Sequence, residues 1–201
     1  MINDAMFRRN GKAGYVLKPQ ALREVAKESL IRPTSHRLKV RVISAQQLPR
    51  PRNSQGREIL DKVVFGGGVM DPYVEVSLLV PDWTQSAKLG SEKTKVVKNN
   101  GFNPVWDELF SMTFDCFGDM KDLVFLKFAV KVEGQDSDEP LAQYVTPLGC
   151  LRQGVLIFRY RETDHLTIIR LSGYRHIPLH DSQLSQFLFS TLFIHTELVE
   201  T

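Results

Sequence analysis

Cysteine is scarce: Cys116 and Cys150 are the only two in 201 residues. Two thiols so far apart make neither a disulfide framework nor a metal motif. They read as reduced core thiols of an intracellular protein. Long apolar runs are missing too. No stretch is long enough to span a bilayer and no signal peptide opens the chain, so a soluble or peripheral protein is expected. Low-complexity tracts are rare. With 24% charged and 42% hydrophobic residues, one domain with a sizeable core is attainable and disorder is disfavoured.

Catalytic patterns are also wanting. No serine lies in a nucleophile elbow, and Gly66-Gly-Gly68 lacks the Lys-Ser/Thr of a phosphate loop. His36, His165 and His195 are isolated. His176 and His180 are four apart, on one face if a single strand runs through both, but Pro178 lies between them and no third metal ligand follows. The basic residues do not interleave with aromatics as a nucleic-acid stacking platform does, which argues against nucleic acid despite a pI near 8.9.

Charge is present but unevenly placed. Residues 1–60 hold 13 Lys and Arg against 4 Asp and Glu, and residues 61–201 hold 13 against 19. A basic front half suits an anionic membrane or another acidic surface, although scattered cations are more often simply solvated.

Periodicity gives mostly strands. Residues 36–46 alternate Leu38, Val40 and Val42 with Lys39, Arg41 and Ile43, a half-buried strand. Further strands are expected at 71–76, 92–97, 109–114, 123–132, 141–148, 174–179 and 189–196. The fifth is apolar on both faces and should be central. Between the third and fourth, Asn99-Asn-Gly101 tolerates positive φ, Asn103-Pro104 holds the backbone extended, and Trp106 is a large apolar anchor. Eight short strands with turn chemistry between them predict an all-β, antiparallel, two-sheet sandwich. Before it, Tyr15-Val-Leu17 is a short apolar run ended by Lys18-Pro19, and residues 19–31 have helical spacing.

Several strings carry a family resemblance. TKVVKNNGFNPVWDE, LKVRVISAQQLPRP and DPYVEV resemble the C2 domain of eukaryotic, fungal-like phosphoinositide-specific phospholipase C. NGKAGYVLKP, with Tyr15 and Pro19, resembles the last strand of that family's catalytic barrel. The implied organisation is a barrel remnant at 1–19, a linker with a short helix at 20–35, and a C2 domain at 36–198. Segments 62–70 and 155–173 interrupt the family pattern, which runs GREILDPYVEV and CLRQGYRHIPL without a gap. The resemblance further implies that the barrel's catalytic histidines lie upstream of this chain. No catalytic residue is assigned here, and residues 1–18 are expected to fray without their barrel, as an unpaired edge would.

Two sites follow from the resemblance. The loop after the first strand carries Arg50, Arg52 and Arg57, placed to touch phosphate headgroups or else merely mobile and polar. Many C2 domains hold Ca2+ with clustered carboxylates at one tip, and Ca2+ takes about six to eight oxygens. Asp71 matches one ligand position, with Glu133, Asp136 and Asp138 as further candidates. Lys131 departs from the pattern, placing a cation where a carboxylate is expected and opposing a dication. Asp71 then has a plainer role, bonding loop amides ahead of Pro72. The expected function is membrane association or scaffolding within a phospholipase C that cleaves phosphatidylinositol bisphosphate to diacylglycerol and inositol trisphosphate. The expected partners are an anionic membrane and the parent's barrel, at a cytoplasmic, membrane-peripheral location. The rival readings are a free-standing lipid- or protein-binding adaptor, and a piece of an active enzyme.

Overall fold

The computed structural model describes residues 2–14, 18, 23, 33–51, 70–80, 90–134, 139–151 and 171–200. They form a helix, α1 (Ile2–Arg9), and eight strands: β1 (Pro33–Gln46), β2 (Pro72–Leu79), β3 (Ser91–Lys93), β4 (Val105–Phe117), β5 (Phe125–Val132), β6 (Ala142–Pro147), β7 (Leu171–His180) and β8 (Gln186–Glu200). Short 3-10 turns, Gly118–Leu123 and Leu148–Leu151, follow β4 and β6.

All pairings are antiparallel, in the order β3-β2-β5-β6-β7-β8-β1-β4. β6 and β7 share one pair, Gln143 with His180, whereas β1 is zipped along most of its length to both β4 and β8. The chain of strands therefore folds at the β6–β7 join into two four-stranded layers. Their inner faces meet in one core. Leu38, Val40 and Val42 of β1, Val74 and Val76 of β2, Leu126, Phe128 and Val130 of β5, and Leu192 and Ile194 of β8 are fully buried there. The period of two seen in the sequence is the alternation of these side chains between core and outer face.

β5 is buried on both faces, and its outer face shows why. Ala5 of α1 packs with Phe125 and Val145, with Met6 and Leu79 alongside. This corrects the expected fraying of the N-terminal residues. Positions 2–9 are helical because Ala5 and Met6 find an apolar patch on β5 and β6 to cover. Tyr15 and Pro19 lie outside the described residues, as does most of the 20–35 linker.

Other boundaries moved for local reasons. β3 ends at Lys93 rather than 97. Thr94 still exchanges with Val74 through N–H to O (2.9 Å) and through its hydroxyl (2.9 Å), but the N–H of Lys95 turns away to the Glu108 carboxylate (2.7 Å). β1 starts at Pro33, inside the expected linker. Met70 belongs to the core and residues 171–173 to β7, so both interrupting segments end in structure; the rest of each lies outside the described residues. Cys116 is buried, but Cys150 is exposed and is no core thiol. His176 and His180 do not share a face. A register shift between Pro178 and His180 leaves His176 exposed against Phe193 (4.4 Å between rings) and buries His180 beside Tyr144 (6.0 Å).

Candidate functional site

Four connections gather at one end of the sandwich. β1 and β7 end there, and β4 and β8 begin there. The start of β2 and the end of β5 join them, since the N–H of Glu133 donates to the carbonyl of Asp71 (3.0 Å). Trp106 pins the two layers together at this apex. Its buried indole N–H donates to the carbonyl of Pro72 (3.2 Å), which also accepts from Val97 N–H (3.1 Å).

The loop before Trp106 is tightly built. Asn99 takes the left-handed conformation, at φ 57°. Gly101 does not, and glycine is needed there for another reason: a Cβ at this position would sit 2.6 Å from Cε and 2.7 Å from Cβ of Met70. The amide of Asn100 and the backbone of Asn103 hydrogen-bond in both directions (3.0 and 3.1 Å). The buried Pro104 offers its carbonyl to Ala45 N–H (3.0 Å).

Of the four calcium ligands expected from the sequence, Asp71 and Glu133 come together, while Asp136 and Asp138 lie outside the described residues. An ammonium stands between the two carboxylates. Lys98 Nζ is 3.3 Å from Asp71 Oδ2 and also bonds Glu133 Oε2. The other Asp71 oxygen accepts from the N–H of Asn99 (2.7 Å). Bonding to Glu133 above all, and then to Asp71, raises the pKa of Lys98 above its ordinary value. Lys131, by contrast, is not the intruding cation. It faces the outer surface and pairs with Glu75 (2.9 Å), whose pKa that hydrogen bond lowers. The cation that opposes Ca2+ is Lys98, which sequence reading passed over.

Calcium needs about six to eight oxygens at 2.3–2.6 Å. Here two carboxylates bracket an internal ammonium, and one carboxylate oxygen serves a backbone amide. Among the described residues no group of three or more His, Cys, Asp or Glu side chains is disposed to hold a metal ion. Among the described residues, this donor set does not fit the ion.

Arg50 is exposed at the same end, just after Leu48, whose N–H donates to Phe102 (3.4 Å). Arg52 and Arg57 lie outside the described residues. Two apolar residues of this end also escaped the sequence reading: Leu188 and Phe189, both strongly exposed. Elsewhere, a cavity of about 390 Å³ between α1 and the outer face of β5 and β6 is lined by Ile2, Asn3, Leu79, Lys127, Gln143 and Val145. That lining brings no acid–base pair together. Among the described residues, no helix is long and apolar enough to cross a membrane.

Known proteins share this architecture. The C2 domain model matches residues 36–162. Inactive phospholipase C-like protein 2 of Mus musculus is 28% identical over 205 aligned positions, covering 98% of this chain and 15% of that protein. 1-Phosphatidylinositol 4,5-bisphosphate phosphodiesterase delta-4 of Bos taurus is 33% identical, covering 87% of this chain and 20% of its own length. The crystal structure of PLC21 from S. officinalis superposes with a TM-score of 0.64 at 22% identity, over 99% of this chain and 21% of that one. The chain thus spans about a fifth or less of these relatives. With eight antiparallel strands in two layers and the Trp106 apex matched by that model, the chain belongs to the C2 domain family, and its homologues are the C2 domains of phospholipases C and phospholipase C-like proteins.

Proposed function

We propose that this chain is the non-catalytic C2 module of a phosphoinositide phospholipase C or phospholipase C-like protein of fungal-like type, and that it meets an anionic membrane through the apex without calcium. The observation that carries this reading is the Lys98 ammonium set between Asp71 and Glu133. It supplies internally the positive charge that a bound dication would bring. Association then rests on cations and apolar contacts, with Arg50, Arg52 and Arg57 as the phosphate-facing group. The parent would hydrolyse phosphatidylinositol bisphosphate through a barrel upstream. The chain itself would be cytoplasmic and membrane-peripheral, and would leave the chemistry to that barrel.

The test is co-sedimentation with vesicles of phosphatidylcholine alone and with 30% phosphatidylserine, at low and high salt, in EDTA and in Ca2+. Binding to the anionic vesicles should be weakened by salt, reduced by changing Arg50, Arg52 and Arg57 to Ala, and unchanged by EDTA. Binding that requires Ca2+, or none at all, overturns the reading. Release of inositol phosphate by the purified chain above a blank overturns the non-catalytic part.

A second reading has its own support. The match to an inactive phospholipase C-like protein covers 98% of this chain. An adaptor role, binding anionic lipid or protein with no hydrolysis anywhere in its parent, is consistent with that relative.

A further inference from the structure

We infer that the bulge at the start of β8, Phe187–Ser190, is an apolar wedge that enters the surface of an anionic bilayer, with Leu188 and Phe189 as the inserting side chains. The inference deepens the membrane reading above and rests on it.

Consecutive residues of a strand point to opposite faces, so one of a neighbouring pair is normally turned inward. Here both are outward: Leu188 is 86% exposed and Phe189 71%. The cause is a break in register. His180 pairs with Gln186, but the next regular pair is Pro178 with Thr191, so four residues of β8 span the place of one on β7. Bulges of this kind re-aim side chains.

The protrusion is held firmly. Asp181 Oδ1 accepts the N–H groups of Gln183 (2.9 Å) and Ser185 (2.8 Å), and Asp181 N–H donates back to Ser185 (3.0 Å). At the end of the bulge, the Ser190 hydroxyl donates to the carbonyl of Gln47 (2.5 Å). Gln47 N–H in turn donates to the Asn103 side chain (3.3 Å), next to Phe102, which is itself 61% exposed. The wedge is thus tied to the apex loop and shares its end of the molecule with a third exposed apolar side chain.

The occupant is argued from charge and shape. Arg50 is exposed three residues past Gln47, so the apolar tip is accompanied by a cation suited to anionic headgroups. Two side chains on a convex bulge offer little to a rigid protein surface but enter a fluid one readily. Burying one such side chain favours the bound state roughly ten- to hundredfold.

The experiment uses the whole 201-residue chain and vesicles of phosphatidylcholine with 30% phosphatidylserine. In a Phe189→Trp variant, the difference emission against the unsubstituted chain should shift to the blue on binding and be quenched by brominated acyl chains. A Leu188→Gln/Phe189→Gln variant, checked for an unchanged melt, should bind at least about tenfold more weakly, in line with the loss of two buried apolar groups. Binding that persists while the indole stays in water, or that the double variant leaves intact, overturns the wedge but leaves the membrane reading standing. Absence of binding by the unsubstituted chain overturns both. A double variant that changes only self-association, read by sedimentation velocity, assigns the surface to a second copy and also overturns the wedge.

Discussion

The indole N–H of Trp106, on one layer of the sandwich, donates to the carbonyl of Pro72 on the other, 3.2 Å away. Trp106→Phe should cost only about 1 kcal/mol, because the ring still packs and Pro72 keeps the N–H of Val97 as a donor. Trp106→Ala should cost about 3–5 kcal/mol, since it empties the apex. Urea melts of both variants, with the slope unchanged, check the pair. Equal losses would mean that the hydrogen bond, not the packing, dominates.

Gly101 has no room for a side chain beside Met70. Gly101→Ala should therefore destabilise by about 1–3 kcal/mol, by overpacking and not by backbone strain. Combined with Met70→Ala, the loss should be smaller than the two single losses added, because the two changes share one space. A strictly additive double variant would place the difficulty in the backbone.

Lys98 carries a raised pKa through its bonds to Glu133 and Asp71. A base whose folded value lies above its unfolded one adds stability below the unfolded value, and loses it as pH climbs through the folded one. The contribution should fade only in strongly alkaline solution and vanish from the pH profile of Lys98→Met. The unsubstituted chain should melt at the same temperature in EDTA and in about 1 mM Ca2+, a concentration that fills all but the weakest protein sites. A clear rise with Ca2+ would show that the ion displaces the ammonium.

Glu75 is lowered by its hydrogen bond from Lys131. The sign is opposite. Its stabilisation is complete above the ordinary glutamate value and is lost as pH falls through the depressed one. The Glu75 side chain is only 17% exposed, but its partner and the pair's outer side still meet solvent, so the effect should be on the order of 1 kcal/mol. Glu75→Gln should flatten the acid limb of the stability profile slightly, and an unaltered limb would mean that the pair contributes nothing.

Much of this fold is written in local alternation. Leu38, Val40 and Val42 announce β1, and the doubly apolar run at 123–132 announces a central β5. The Asn-Pro-Val-Trp string marks the corner that Trp106 closes. What local pattern cannot show is which loops become neighbours. Asp71, Lys98 and Glu133 are 27 and 35 residues apart along the chain. Reading Lys131 as the opposing cation followed from its place in a linear motif, whereas side-chain direction sends it to Glu75. Gly101 looked like a turn residue because glycine usually is one; its packing against Met70 depends on a segment more than thirty positions earlier. Leu188 and Phe189 stayed hidden because alternation assigns one of them to the core. Only the slipped pairing of β7 and β8 turns both outward.

The pairing of His36 with Glu200 puts the beginning of β1 and the finish of β8 side by side, opposite the apex. At ~3.3 Å per residue, the fourteen residues of β1 make a strut of roughly 45 Å. Anything attached beyond Glu200 is therefore carried at the base of that strut. The module would act as a stand-off, setting the height of its cargo above whatever the far end touches.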